Sequence, residues 1–273
     1  MIIKTLVENT AVSEDFKTEH GLSLYLESND HKILFDLGQG QLFLENAKKM
    51  DVSIEDVDYL VISHGHYDHG GGLANFFQEN TRAEVFMHKL AFGSYYSLRA
   101  NDQFQYAGLD QDLKQNKQIV YTSDRFTIAK GIQVFSGVMG EAKLPQSNKT
   151  LYMKDQEEMI HDTFAHEQNL IIEENGKILL LAGCAHNGII NIVDHFYQMK
   201  GRMPDYVIGG FHLSSRTSGN EPRQEIEKIG KYLLQTKAKY YTCHCTGLAA
   251  YDYLKEIMAD KIDYLATGSE LIL

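Results

Sequence analysis

The alternation of apolar and polar positions along the chain predicts an α/β protein in which short strands and amphipathic helices follow one another. Short apolar runs bounded by turn residues are typical of strands, and apolar positions spaced three and four apart are typical of helices. The predicted strands are residues 2–7, 22–27, 32–36, 59–62, 83–88, 119–121, 126–128, 132–135, 169–173, 177–182, 206–208, 240–242 and 264–267. The predicted helices are residues 42–50, 73–80, 189–197, 221–235 and 248–258.

Two stretches of the chain have no clear period. Residues 90–116 are rich in Tyr, Gln, Asp and Asn, and we interpret them as an insertion or lid, because long irregular segments in compact domains are often functional. The aromatic side chains of residues 90–116 either line a pocket for a flat substrate or pack against the sheet. These side chains belong to Tyr95, Tyr96, Phe104 and Tyr106. Residues 140–150 are polar and predict a loop, which is the best candidate for a mobile segment.

Histidines follow four of the predicted strands. His64 follows the strand at 59–62, and the later strands run into His186, His212 and His244. Because α/β sheets place their active sites outside the ends of their strands, these side chains are expected to meet.

The densest group of polar side chains is the segment His64-Gly65-His66-Tyr67-Asp68-His69. His64 and His66 are two residues apart, so both imidazoles can converge on one metal ion, while Asp68 and His69 face a neighbouring position. Imidazole and carboxylate together suit Zn(II), Fe(II) or Mn(II). A single loop histidine is usually only solvated, but four potential ligands within six residues predict a site for two adjacent metals.

Asp36 also lies at the end of a predicted strand and precedes the helix at 42–50. It is either the N-terminal cap of that helix or a carboxylate that orients a metal-bound imidazole. The residues leave both alternatives open.

Composition narrows the function classes. The 273 residues suffice for one large core, so a single domain is expected. The formal charge of −11, without a basic cluster, argues against a nucleic-acid binder. Three cysteines do not form a disulfide framework, and neither a signal peptide nor a membrane span is predicted, so a cytoplasmic location is expected. The oligomeric state is left open.

The segment at 64–69 resembles the HxHxDH signature of the metallo-β-lactamase superfamily. That resemblance implies a four-layer αββα sandwich with a metal site at one edge. Four further segments resemble one branch of the superfamily, the dihydropterin ribofuranosyl-aminobenzene phosphate synthase-like proteins; they are residues 19–23, 183–189, 209–213 and 244–247.

The resemblance implies a set of three ligands for each of two metal positions. Zn(II) is the expected metal, with Fe or Mn as alternatives. His64, His66 and His186 would hold the first metal. Asp68, His69 and His244 would hold the second.

Several other residues have roles that stay open at this point. Cys184 stands where many relatives carry a bridging Asp, and it is either a thiolate ligand or a small buried residue. His166 is a weaker candidate ligand than His186. We interpret His212 as a substrate-facing or proton-transfer residue, and Cys243 and Cys245 as structural.

The leading hypothesis is a hydrolase that cleaves a small phosphoester or cyclic ester with a hydroxide activated by two metals, oriented by Asp68 and assisted by His212 as proton donor. The alternative is a pterin-type transferase, which rests on the branch resemblance alone. A less favoured third class is a non-hydrolytic di-iron redox or binding protein.

Overall fold

The computed structural model describes residues 1–215 and 217–273, with strands and helices alternating along the chain. The strands of the first half are β1 (Ile2–Val7), β2 (Ser23–Ser28), β3 (His31–Phe35), β4 (Tyr59–Ile62), β5 (Glu84–His88), β6 (Tyr95–Leu98), β7 (Phe104–Tyr106), β8 (Ile119–Thr122), β9 (Arg125–Ala129) and β10 (Ile132–Ser136). Those of the second half are β11 (Leu151–Asp155), β12 (Glu158–His161), β13 (Gln168–Glu174), β14 (Lys177–Ala182), β15 (Tyr206–Gly209), β16 (Ser214–Ser215), β17 (Gly219–Asn220), β18 (Lys239–Thr242), β19 (Ile262–Tyr264) and β20 (Glu270–Ile272). The helices are α1 (Leu42–Lys49), α2 (Tyr67–Gly70), α3 (Leu73–Glu79), α4 (Ile189–Lys200), α5 (Arg223–Gln235) and α6 (Leu248–Met258).

Two seven-stranded sheets form the centre of the molecule. The first has the order β20-β1-β2-β3-β4-β5-β8 and the second the order β19-β18-β15-β14-β13-β10-β9. Side chains of both sheets share one buried cluster, which includes Phe35 and Val61 from the first sheet and Leu179 and Leu181 from the second. The sheets therefore pack face to face.

The outer faces of the sheets are covered by helices. Phe43 of α1 and Phe76 of α3 share a cluster with Leu60 of the first sheet. On the second sheet, Leu180 packs in a cluster with α4, α5 and α6. Successive side chains of a strand point to opposite faces, so Leu179 and Leu180 serve different layers. The predicted four-layer αββα sandwich is confirmed.

A smaller sheet of order β12-β11-β6-β7 lies outside these layers. Its strands come from residues 95–106 and 151–161, so the segment predicted as an irregular insertion is partly regular. Antiparallel pairing between β6 and β11 joins the two segments, as in Tyr96 opposite Tyr152. That this part of the chain acts as a lid stays a prediction.

The ends of the chain differ from the expectation. The last strand of the second sheet is Ile262–Tyr264, rather than 264–267, and Glu270–Ile272 adds an unpredicted strand beside β1. Thr267 instead forms an isolated bridge with Ala11. Among residues 1–215 and 217–273, no helix combines the length and apolar composition that crossing a membrane requires.

Candidate metal centre

The ends of neighbouring strands bring the predicted site residues together. Strands β3 and β4 are parallel in the first sheet, and β14, β15 and β18 are parallel in the second. The chain turns sharply where these strands end, because Asp36, Ala185, His212 and His244 have left-handed backbone angles with φ of 62°, 53°, 51° and 50°. Such conformations cost free energy in residues other than glycine, and they are concentrated at functional sites.

His64, His66 and His186 form the first group of candidate ligands. One nitrogen from each ring lies within 4.8 Å of the others. The Nε2 atoms of His64 and His186 are 3.3 Å apart. Two nitrogens bound to one tetrahedral zinc are separated by about 3.3–3.4 Å, so this spacing fits a shared metal.

The other nitrogen of each ring in this group is held by the protein. His64 Nδ1 lies 2.8 Å from Ser63 Oγ, and His186 Nδ1 lies 3.0 Å from Asn148 Oδ1. His66 Nε2 lies 3.5 Å from a carboxylate oxygen of Asp162. These contacts leave Nε2 of His64 and His186, and Nδ1 of His66, for a ligand role, as is usual in metal sites.

Asp68 is the centre of the second group. Its Oδ2 atom lies 3.4 Å from His244 Nε2, 3.8 Å from His69 Nε2 and 3.3 Å from His20 Nε2. His244 is held at its other nitrogen, where Nδ1 lies 2.9 Å from Asn9 Oδ1. The structure thus brings together the three residues predicted for the second metal and adds His20.

Asp36 makes hydrogen bonds that connect it to both groups of candidate ligands. Its Oδ2 atom lies 2.6 Å from His69 Nδ1, and its two oxygens accept hydrogen bonds from the Ser63 amide and hydroxyl at 2.7 Å. The capping alternative is wrong, because helix α1 begins at Leu42 after Gln41 and has no side-chain cap. Asp36 instead contacts the imidazole of a candidate ligand.

Cys184 lies between the two groups. Its Sγ is 3.1 Å from His69 Nε2, and it is within 4.8 Å of ligand atoms of His64, His186 and His244. Cys245 Sγ belongs to the same neighbourhood and lines the cavity, so the expectation that Cys245 is only structural does not fit its position. Cys243 does lie in the buried cluster between the sheets.

His212 and His166 occupy different environments. The ring of His212 is 4.3 Å from that of His186 and lines the cavity, and neither ring nitrogen makes a well-formed hydrogen bond with the described residues. His166 accepts a hydrogen bond from the Gly65 amide at Nδ1, and its Nε2 lies 3.1 Å from Asp162. Both nitrogens of His166 are therefore used inside the protein, which does not favour a ligand role.

Burial and neighbouring charges set the protonation of the site. Burial, followed by the charges of neighbouring histidines, holds the pKa values of His64 and His186 well below the usual range. For His69, burial lowers the pKa, but Asp36 and Asp68 outweigh burial and raise it to about 9. Burial opposes ionisation of Asp68, yet the surrounding histidines hold its pKa well below normal. Neutral imidazoles, as at His64 and His186, and an ionised carboxylate, as at Asp68, are the forms that bind divalent metals, whereas His69 has to release a proton to become a ligand. The chemistry of the donor set therefore fits divalent metal ions.

The site opens into a cavity of about 400 Å³, within the range of about 300–1,000 Å³ that is common for small-molecule sites. The insertion contributes Ser97, Arg99 and Ala107 to its lining. The four aromatic residues proposed for this role are not among the described lining residues. Tyr95 is buried and its ring is 4.0 Å from that of His166, so the packing alternative holds for this residue.

Sequence reasoning missed the residues that hold the candidate ligands. Asn9, Asn148 and Asp162 are far from the motif in sequence and carry no local signal. In the sequence, His20 has a signal only through the resemblance of residues 19–23 to one branch of the superfamily. The structure shows why glycine follows it, because a side chain at Gly21 would lie 2.6 Å from the Asp68 carbonyl oxygen.

Comparisons with known proteins agree with this architecture. The family model of the metallo-beta-lactamase superfamily matches residues 17–226. An uncharacterized protein of Methanocaldococcus jannaschii is 30% identical over 262 residues, covering 94% of both chains. The 7,8-dihydropterin-6-methyl-4-(beta-D-ribofuranosyl)-aminobenzene-5'-phosphate synthase of the same organism is 28% identical over 285 residues, covering 97% of this chain and 94% of the synthase.

Among solved structures, Tm1679, described as a metal-dependent hydrolase of the beta-lactamase superfamily, superposes with a TM-score of 0.84 at 29% identity. The match covers 100% of this chain and 99% of Tm1679. The fold and the sequence therefore agree, and this chain belongs to the metallo-β-lactamase superfamily.

Proposed function

We propose that this protein is a metal-dependent hydrolase of a small phosphoester or cyclic ester and uses two divalent metal ions, with zinc as the expected metal. One observation carries the proposal. Imidazole nitrogens of His64, His66 and His186 converge within 4.8 Å, while the other nitrogen of each ring is occupied by a protein group.

Each candidate ligand would have a defined task. His64, His66 and His186 would hold one metal, and Asp68, His69 and His244 the other, with His20 as an additional neighbour of Asp68. Cys184, whose Sγ lies between the two groups, would be an additional ligand if it bound as a thiolate. When bound, two such metals supply a water of lowered pKa and positive charge that stabilises the developing oxyanion.

The remaining side chains at the cavity would handle protons and orientation. His212 faces the cavity beside His186, so its imidazole can donate a proton to the leaving group. Asp68, ionised and surrounded by imidazoles, can orient the attacking water through a hydrogen bond. Asp36 and Ser63 would keep His69 and His64 in the tautomers that ligation requires.

A second candidate is a pterin-type transferase. The observation that favours it is the similarity to the synthase of Methanocaldococcus jannaschii, which extends over 97% of this chain. The resemblance is not limited to the metal motif, so it includes the parts of the chain that line the cavity.

The experiment combines metal content with turnover. Protein purified without added metal is analysed for bound metals, and hydrolysis of bis(p-nitrophenyl) phosphate and a lactone panel is measured before and after chelation. We expect nearly two metals per chain and chelator-sensitive hydrolysis, both reduced in His66→Ala. His161→Ala is the matched control, because His161 is exposed, stacks on Tyr152 and is not among the described residues that line the cavity.

The outcomes separate the candidates. Two bound metals without hydrolysis of any tested ester would shift the assignment to the transferase. Absence of bound metal in freshly purified protein would contradict both candidates.

A further inference from the structure

Arg99 lies directly after β6 of the small sheet and lines the cavity above the candidate metal centre. Among the described residues that line this cavity, it is the one lysine or arginine. Asp68 is the one carboxylate among them, and it belongs to the metal centre. Arg99 also borders a neighbouring open depression together with Gln105, so it lies at the rim of a cavity whose other charged groups are concentrated at the candidate ligands.

No ion pair within the described part of the chain neutralises this charge. The Nε of Arg99 donates a hydrogen bond to the neutral Gln105 Oε1 at 2.7 Å. Within residues 1–215 and 217–273, no carboxylate oxygen lies within the 4.0 Å that defines an ion pair with Arg99. By contrast, Arg202 pairs with Asp205 at 2.8 Å. Among the described residues Arg82 and Arg125 also have no ion pair, so the place of Arg99 in the cavity lining, rather than the missing partner alone, points to an anionic ligand.

The guanidinium group also keeps hydrogen-bond donors for an anion. It carries five N–H donors in a fixed plane, and the bond to Gln105 uses only the one at Nε. The two terminal nitrogens remain for a planar or tetrahedral oxyanion, which arginine binds in a bidentate manner. The bond to Gln105 restricts rotation of the group before a ligand arrives.

Hydroxyl groups line the same cavity and extend this donor surface. They belong to Ser97, Ser147, Thr150, Ser214, Ser215 and Thr217. Hydroxyls can donate hydrogen bonds to oxygen atoms without adding charge. Two of them already donate within the protein, Thr150 to the Ser147 carbonyl and Ser214 to Asn220 Oδ1. A cavity lined by one arginine and several hydroxyls suits a phosphate or carboxylate group better than an apolar or cationic one.

We propose that Arg99 and these hydroxyls form an anion subsite that binds a phosphate or carboxylate group of the substrate at a distance from the reacting bond. The substrate class is then a small molecule with two polar ends, of which one reacts at the metal centre and the other is held by Arg99. This inference rests on the proposed function only in placing the reacting bond at the metals.

The test compares ligands with one and two anionic ends. Binding of propyl phosphate and of a series of alkanediol bisphosphates, from ethane to hexane, is measured by titration calorimetry with the metal-loaded protein. We expect at least one bisphosphate to bind about tenfold or more tightly than propyl phosphate, because a charge-assisted pair with arginine is a strong interaction. Arg99→Met should abolish this preference and leave propyl phosphate binding unchanged, whereas Arg99→Lys should retain part of it.

Matched controls and opposite outcomes make the test decisive. Arg125→Met, which changes an exposed strand arginine outside the cavity, should behave like the unmodified protein. Equal binding of mono- and bisphosphates by the unmodified protein, or an equal loss of both in Arg99→Met, would overturn the subsite. If the proposed metal centre is wrong, propyl phosphate should bind equally with and without chelator. In that case a preference for bisphosphates that depends on Arg99 would still support the subsite.

Discussion

Asn9 and Asn148 hold two different histidines through the same pair of atoms. Asn9 Oδ1 lies 2.9 Å from His244 Nδ1, and its Nδ2 donates to the His244 carbonyl at 3.3 Å. Asn148 Oδ1 lies 3.0 Å from His186 Nδ1, and its Nδ2 donates to the His186 carbonyl at 2.8 Å.

Two glutamates complete the parallel. Glu8 accepts the His244 amide at 2.6 Å, and Glu167 accepts the His186 amide at 2.6 Å. Each histidine is therefore fixed at its amide, its carbonyl and one ring nitrogen. The same device serves one candidate ligand of each metal, and Asn148 belongs to the segment 140–150, which the sequence predicted to be loop.

We expect Asn148→Ala to weaken binding of the metal proposed at His64, His66 and His186. We expect Asn9→Ala to weaken binding of the metal proposed at His244. Loss of a group that orients a ligating imidazole costs about 10–100-fold in metal affinity. The measurement is metal affinity in competition with a chromogenic chelator, with Asn101→Ala as an exposed control. Unchanged affinity at both positions in both variants would contradict the assigned tautomers.

A second prediction concerns Asp36. In Asp36→Asn the amide group must face either the Ser63 amide or His69 Nδ1, and both are donors in the present arrangement. We expect a destabilisation of about 1–3 kcal/mol, the usual cost of an unsatisfied buried polar group, and at least about tenfold weaker binding of the metal at His69.

Urea unfolding with chelator present measures the first effect, and chelator competition measures the second. Asp112→Asn, at an exposed position, is the control for a changed charge. If Asp36→Asn loses stability but binds both metals normally, Asp36 has only a structural role.

The strands and helices could be predicted because their apolar period is local. Residues 178–182 are apolar at every position, which is typical of a central strand, whereas the division of Leu179 and Leu181 to one layer and Leu180 to the other is seen only in the structure. The candidate ligands could be predicted for a related reason, since His64, His186, His212 and His244 each end an apolar run.

The residues that hold those ligands could not be predicted in the same way. Asn9 and His244 are separated by 235 positions, and Asn148 and His186 by 38, so only the folded chain brings them together. The small sheet was missed because residues 95–106 pair with residues 151–161, and each segment alone has too few apolar positions to show a period. The capping alternative for Asp36 likewise could not be excluded from the sequence, because the hydrogen bonds of Asp36 to Ser63 and His69 are visible only in the structure.

A third prediction concerns the pH dependence of stability through His88. Burial and the nearby His166 lower the pKa of His88 from 6.5 to about 4. Between these values the unfolded chain binds a proton that the folded chain does not, so the free energy of unfolding falls as the pH decreases from 6.5 towards 4.

The comparison of the protein with His88→Gln isolates this contribution. We expect the difference in unfolding free energy to be constant above pH 6.5 and to change by up to about 3 kcal/mol as the pH approaches 4, with the unmodified protein losing more. Urea unfolding at several pH values, with chelator present for both proteins, gives the difference. A difference that does not vary with pH would mean that His88 titrates normally in the folded state.

The last prediction concerns the space between the two sheets at the metal centre. A Cβ atom at Gly183 would collide with Ser63 Oγ and would lie 2.6 Å from Ser63 Cβ and 3.3 Å from His64 Nδ1. Gly183→Ala must therefore move Ser63, the residue that links Asp36 to His64. We expect a destabilisation of about 1–3 kcal/mol from overpacking and weaker binding of the metal at His64.

Gly40→Ala is the matched control, because a Cβ at Gly40 has no described atom within 4 Å. Urea unfolding with chelator present measures the change in the free energy of unfolding without bound metal. Calorimetric metal titration measures the change in metal affinity. Because the contact acts on His64 through Ser63, the double variant Ser63→Gly with Gly183→Ala, which removes both the Oγ and the Cβ contact, should recover stability relative to Gly183→Ala but not metal affinity. Full recovery of both would show that the Ser63 hydroxyl does not orient His64.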